Sequence, residues 1–231
     1  MKNIKSIIAA LSLAAMFGMS SAHATPVKIK FDSFTASSAK TVKVDYSDPS
    51  APKTVSAGMF NLSVAPGSDS SWLDMANSPI FAFCVELTQN ISIGSTYDFN
   101  LEKAEDVLNP NSVASINRLL SSLSDFSFTS DQSAVLQASI WELVYDQVLP
   151  SDLNSGNFEV VTSGGNVSAV TDFNQYLNAA NSYTGELKYE LFVLQSAGNQ
   201  DQLVWRAVSA PSAFALFLVM AGLVFVRARK A

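Results

Sequence analysis

The spacing of apolar residues changes once along this chain, and that change limits the folds the chain can adopt. Between Val27 and Leu101 apolar residues recur at alternate positions, which is the period of a strand with one buried face. The predicted strands are 27–31, 42–46, 59–64 and 96–101, together with 79–87, which is more continuously apolar, as expected of a strand covered on both faces. The Ser/Pro/Ala-rich stretches 47–57 and 65–71 are predicted loops. This part of the chain therefore predicts antiparallel β-structure.

The period becomes helical after about residue 104. Thr129 and Gln132 have the spacing of a capping box, which predicts a helix from there to about Gln147, ended by Pro150. Two further helices are predicted at 112–123 and near 168–181, and two closing strands at 186–194 and 202–208. The pattern predicts an α+β fold, an antiparallel β-sandwich or barrel with a helical subdomain inserted at about 104–181.

The first 24 residues have the organisation of a secretory signal peptide. Two lysines precede an apolar stretch, and the small residues Ala22 and Ala24 form an A-x-A site with cleavage expected before Thr25. An uncleaved anchoring helix is the alternative, although the apolar run is short. We therefore expect an exported protein whose folded domain covers residues 25–207.

Residues 208–231 have the features of a second addressing signal. The uncharged run from Ala213 to Val226 has 14 residues. As a helix it would span roughly 21 Å, short of the ~30 Å hydrocarbon core of a bilayer. One interpretation is a marginal tail anchor whose positive charges stay inside.

The same tail also resembles the PEP-CTERM sorting signal, in a variant that lacks its glutamate. The resemblance lies in the Pro-Ser linker, the brief apolar helix and the terminal basic cluster, and it is carried by Ser209, Pro211, Ser212, Arg227 and Arg229. It implies a Gram-negative bacterium, a tail that enters the inner membrane at least transiently, and removal of that tail by an exosortase-type enzyme. The mature protein would then lie at the cell surface or in the extracellular matrix.

Composition excludes several kinds of chemistry. The sole histidine, His23, lies in the predicted signal peptide, so the exported domain has no histidine and one cysteine, Cys84. This excludes Ser-His-Asp and Cys-His nucleophile pairs, histidine-ligated metals and an internal disulfide, and we expect neither metal nor cofactor. Residues 25–211 carry nine Lys and Arg against 20 Asp and Glu, a net charge of −11. Such a surface repels a phosphate backbone, so nucleic acid is not an expected partner.

One glutamine interrupts the apolar face of the helix predicted from Thr129. At ~100° per residue, Gln137 falls at the centre of the apolar arc, and Trp141 lies one turn later on the same side. A thiol can attack the carboxamide carbon of a glutamine held against it, which expels ammonia and leaves a thioester without any histidine. Such a bond would also explain an unpaired Cys84 in an exported protein.

Segments 83–85 and 136–141 resemble the paired motifs of bacterial thioester domains. Those domains have an aromatic residue before the cysteine and, on a later helix, the pattern apolar-Gln-x-x-apolar-Trp. The fixed positions of the second motif are filled here by Leu136, Gln137, Ile140 and Trp141. The resemblance covers roughly residues 79–147.

The resemblance implies a β-rich domain joined to a helical subdomain by a Cys84–Gln137 thioester. An amine on a surface or matrix partner, such as a lysine, would displace Cys84 and become amide-linked to Gln137. This is adhesion without turnover, so we do not expect an enzyme. Phe83, Trp141 and Tyr145 would surround the bond, and Tyr145 could shield it or donate to its carbonyl.

Three alternatives remain open from the residues alone. Gln137 could simply be hydrogen-bonded to the backbone of a neighbouring strand, with Cys84 as a small core residue, in a non-covalent matrix scaffold or binding module. Gln89 could replace Gln137, although its odd spacing from Cys84 on an extended strand puts the two on opposite faces. A hydrolase could use paired carboxylates from Glu86, Glu142 and Asp146, the last two on the polar, solvated face of their helix.

Overall fold

A computed structural model describes residues 25–46, 52–68, 79–147, 153, 156–161 and 170–208. The predicted signal peptide and, apart from residue 208, the predicted sorting tail lie outside these ranges. In chain order the elements are β1 (Thr25–Phe34), β2 (Lys40–Tyr46), β3 (Lys53–Ala57), β4 (Phe60–Val64), β5 (Ile80–Cys84), β6 (Thr96–Lys103), α1 (Ala104–Val107), α2 (Pro110–Ser122), α3 (Ser130–Tyr145), β7 (Phe158–Val160), α4 (Val170–Ser182), β8 (Tyr189–Gln195) and β9 (Gln202–Ala207).

Six of the strands form a closed antiparallel barrel, in the order β1-β4-β5-β9-β8-β6. The other three form a separate sheet in the order β3-β2-β7. The predicted α+β class and the barrel with inserted helices are therefore confirmed. In the described part of the chain, none of the helices combines the length and apolar character needed to cross a bilayer.

Helix α3 packs against both the barrel and the small sheet, because it contacts β5 and all three strands of the small sheet. It begins at the predicted capping box, in which Thr129 and Gln132 each accept a main-chain N–H of the other. Ser133 to Leu143 is buried without a break, so no face of this stretch is in water. The prediction of a solvated face that includes Glu142 is therefore wrong, since Glu142 is 1% exposed.

The Ser/Pro/Ala content of 47–57 predicts a loop, and this prediction is wrong for residues 53–57. Residues 53–57 are strand β3, which pairs with β2 in the register Val42–Val55. Only Val55 and Ala57 give this short segment an apolar alternation, and its place in a sheet depends on β2 and α3 packing beside it. The short strand β7 was also not predicted, and it lies within the predicted helical insert.

Candidate functional site

The candidate site begins at an open edge of strand β5. The N–H of Val85 donates to the carbonyl oxygen of Asp201 at 3.1 Å, so the polar main-chain groups of Cys84 point to the opposite edge. On that edge β4 pairs with β5 only as far as Phe60 and Ala82. The N–H and C=O of Cys84 therefore have no strand beside them, although the residue is 2% exposed.

The side chain of Gln137 takes the place of that missing strand. Its Oε1 accepts from the N–H of Cys84 at 2.9 Å, and its Nε2 donates to the carbonyl oxygen of Cys84 at 2.8 Å. One turn earlier, Oγ of Ser133 accepts from the N–H of Met59 at 2.6 Å, just before β4 begins. Helix α3 thus supplies hydrogen-bond partners where β4 and β5 part, and it brings the two predicted thioester residues into contact.

The thiol of Cys84 has two other glutamines as neighbours. Its Sγ donates to Oε1 of Gln200 at 2.9 Å, and Nε2 of Gln202 donates to Sγ at 3.6 Å. Burial raises the pKa of the thiol to about 12, partly opposed by the Gln202 hydrogen bond and reinforced by the negative charge of Glu86. A free Cys84 is therefore a neutral thiol at physiological pH.

Sequence reasoning did not identify Gln200 and Gln202 as site residues. Gln202 pairs with Cys84 across the β5–β9 ladder, and Gln200 stands in the turn just before β9. Nε2 of Gln200 donates to the carbonyl oxygen of Glu86 at 2.8 Å, which fixes the amide that receives the thiol proton. The only sequence signal for these two residues is that a glutamine stands on each side of Asp201, where the closing strand begins.

The aromatic residues predicted to surround the Cys84–Gln137 pair do not all lie beside it. Trp141 is fully buried one turn after Gln137, with its ring centroid 6.1 Å from that of Phe158. Phe83 points to the other face of β5 from Cys84, where it stacks on Trp205 at 5.7 Å. Phe83 therefore packs on the face of β5 opposite the side chain of Cys84.

Tyr145 is half-buried at the C-terminal end of helix α3. Its ring lies 5.6 Å from that of Tyr46, and Tyr46 donates to the carbonyl oxygen of Leu87 at 3.1 Å. Burial raises the pKa of Tyr145 to about 12, opposed by a hydrogen bond from the backbone of Leu87. The two tyrosines thus hold the main chain that follows Cys84.

The carboxylates of the hydrolase alternative have separate structural positions. Glu86 accepts from the hydroxyl of Thr88 at 3.0 Å. Asp146, at the end of α3, accepts main-chain N–H groups at the start of β7, including that of Phe158 at 3.4 Å. Glu142 is buried inside the protein. This arrangement gives no support to a pair of carboxylates facing one substrate.

The carboxyl group of Asp201 is expected to make the stability of the protein depend on pH. Burial raises its pKa from 3.8 to about 6, with the negative charges of Glu86 and Glu102 adding to the effect and the N–H of Ser196 opposing it. The folded protein holds this proton more tightly than the unfolded chain. Its contribution is therefore fully present below about pH 4 and lost as the pH rises through about 6.

We expect Asp201→Asn to match the wild type at pH 4 and to be the more stable protein at pH 7. The amide oxygen of the variant can still accept the N–H of Ser196, which lies 2.7 Å from Oδ1 of Asp201. Denaturant unfolding at the two pH values measures the difference. A stability difference that does not grow with pH would contradict the raised pKa.

Comparison with known proteins gives no match to this chain, whether with family models, curated proteins or solved structures. Within the part of the chain that the structure describes, no group of three or more His, Cys, Asp or Glu side chains could hold a metal ion. Functional conclusions therefore depend on the geometry around Cys84 and Gln137.

Proposed function

We propose that this chain is an exported surface or matrix protein in which Cys84 and Gln137 condense to a thioester that captures amines covalently. The observation that carries the proposal is the two-point pairing of the Gln137 amide with the main chain of Cys84, at 2.9 and 2.8 Å. Cys84 is 2% exposed and Gln137 fully buried, so the pair is shielded from water. The protein is consumed by one reaction and is therefore not an enzyme.

Formation of the bond joins two residues whose main-chain and side-chain groups are already hydrogen-bonded to each other. Sγ of Cys84 attacks Cδ of Gln137, and the N–H of Cys84, which donates to Oε1, stabilises the negative charge that develops there. The carbon–nitrogen bond then breaks, and the departing nitrogen takes the thiol proton and leaves as ammonia. Because burial keeps the thiol protonated, that proton is available.

Capture is the reverse of thioester formation, with an amine of the partner in the place of ammonia. The nitrogen of a neutral amine attacks the thioester carbon, the carbon–sulfur bond breaks, and the amine proton passes to sulfur. A sulfur whose pKa is raised to about 12 is a poor leaving group, so burial also protects the bond from slow loss. The product is a permanent amide between Gln137 and the partner.

The two ends of the chain determine the proposed location of the protein. The signal peptide at 1–24 exports the chain, and the tail at 208–231 is a sorting signal that enters the inner membrane and is removed by an exosortase-type enzyme. The partner is an amine-bearing molecule of the cell surface or extracellular matrix of a Gram-negative bacterium. The −11 charge of residues 25–211 is compatible with attraction to lysine-rich surfaces.

Intact mass of the secreted protein tests the proposal. We expect a mass about 17 Da below that of the processed sequence, the loss of one ammonia, and a Cys84 that resists alkylation in the folded state. Methylamine should restore the thiol and add to Gln137, as peptide mapping would locate. Mapping also separates Gln137 from Gln89 and Gln200, and Cys84→Ala should have neither the mass loss nor the adduct.

The same two hydrogen bonds favour a second candidate. They satisfy the Gln137 amide without any covalent bond, as in a matrix scaffold or binding module in which Cys84 and Gln137 only pack. This candidate predicts a secreted protein of full mass that methylamine leaves unchanged. That outcome would remove the covalent proposal and retain the structural one.

A further inference from the structure

A cavity of about 310 Å³ lies beside the Cys84–Gln137 pair, between β3, the start of β4, the loop after β5 and helix α3. Trp141 and Gln200 are both in its wall. Trp141 is one helical turn from Gln137, and Oε1 of Gln200 lies 2.9 Å from Sγ of Cys84. The cavity therefore reaches immediate neighbours of both members of the pair.

The wall of this cavity is uncharged and combines polar with apolar side chains. None of its lining residues is acidic or basic, and six are aliphatic or phenyl side chains, namely Phe34, Val55, Phe60, Leu87, Ile91 and Ile93. Two buried polar atoms in the wall, Nε1 of Trp141 and Oε1 of Gln89, have no hydrogen-bond partner among the described residues. Both atoms are closed to solvent, and native proteins leave few such atoms unpaired, so each would gain a hydrogen bond from a ligand group that reaches it.

Resting on the proposed function, we infer that this cavity is the route by which the amine reaches the thioester, and that it selects an unbranched primary alkylamine such as a lysine side chain. The aliphatic and phenyl side chains of the wall accommodate the methylene chain of the amine. Oε1 of Gln89 accepts an N–H from the amine nitrogen, and the indole N–H of Trp141 is a donor on the same wall. An anionic or strongly branched amine lacks this fit.

The uncharged wall also decides which form of the amine enters. An ammonium ion in the cavity would have no counter-charge, so desolvation favours the neutral amine. The neutral form is the one with a lone pair for attack on the carbonyl carbon of Gln137. The ammonium ion loses its extra proton to solvent before the neutral amine enters, so the site obtains its nucleophile without a general base.

Two matched tryptophan variants test the route. Thr54 is an exposed strand residue in the cavity wall, and Thr96 is an exposed strand residue outside it. Thr54→Trp narrows the cavity without disturbing buried residues, so it should keep the mass deficit of about 17 Da and lower the rate constant for n-butylamine roughly tenfold or more. Thr96→Trp should stay within about twofold of the wild type.

Amine structure provides the second measurement. The rate constant for n-butylamine divided by that for 2-aminoethanesulfonate should be larger for the wild type than for a simple alkyl thioester in solution. Gln89→Leu should lower the rate constant for the reaction of the protein with n-butylamine. If Thr54→Trp holds the mass deficit and reacts at the wild-type rate, the amine uses another route and this inference is wrong. If the wild type itself has full mass, the proposed function fails, and the inference fails with it.

Discussion

Replacing Cys84 by alanine is expected to lower the free energy of unfolding by about 4 kcal/mol or slightly more. A thioester to Gln137 closes a loop of 53 residues. By analogy with a disulfide, such closure stabilises by roughly 4 kcal/mol because it restricts the unfolded chain. The variant keeps the intact Gln137 amide and can make both hydrogen bonds to the main chain at position 84, whereas the thioester has lost Nε2 and keeps only the bond to Oε1. The loss therefore measures the covalent bond less the one hydrogen bond that the variant regains.

Guanidinium unfolding followed by tryptophan fluorescence measures this loss. Wild-type protein treated with methylamine should fall towards the stability of Cys84→Ala, since the amine opens the same ring. Methylamine should leave Cys84→Ala itself unchanged. A purely packed thiol gives a different result, a loss of only about 1 kcal/mol in the variant and no effect of methylamine.

Most of the elements could be predicted because their signals are local. The alternation from Val27 onward and the Thr129–Gln132 capping box depend on neighbours within a few residues, and the structure has strands and helix α3 at those places. Strand β3 was missed because residues 53–57 have only a weak alternation of their own. Its pairing with β2 and its contact with α3 make it a strand.

The site could be predicted only for the residues that break a local pattern. Gln137 is conspicuous because a polar amide stands in an apolar stripe, and Cys84 because it is the only cysteine. Gln200 and Gln202 break no pattern, and their contacts with the thiol span 116 and 118 residues through the pairing of β5 with β9. Burial of Glu142 was missed for the same reason, since α3 packs against elements that lie far from it in the sequence, among them β2, β3 and β5.

The hydrogen bonds of Gln137 are expected to contribute about 2–6 kcal/mol that does not depend on the thioester. In the Cys84→Ala background, Gln137→Leu replaces the amide with an apolar group of similar size. The main-chain N–H and C=O at position 84 are then buried without partners, at a cost of about 1–3 kcal/mol each. Denaturant unfolding of the double variant against Cys84→Ala measures the difference.

Gln137→Glu in the same background separates these hydrogen bonds from apolar packing. Its carboxyl can accept the N–H at position 84 but can donate to the carbonyl oxygen there only when it is protonated. Burial raises the pKa of such a carboxyl, so this variant's stability should be highest below about pH 4 and fall as the pH rises through the raised value. Gln137→Leu should lack that component. If the two variants have the same pH profile, apolar contacts alone hold helix α3 against β5, and the amide of Gln137 is not what aligns it with Cys84.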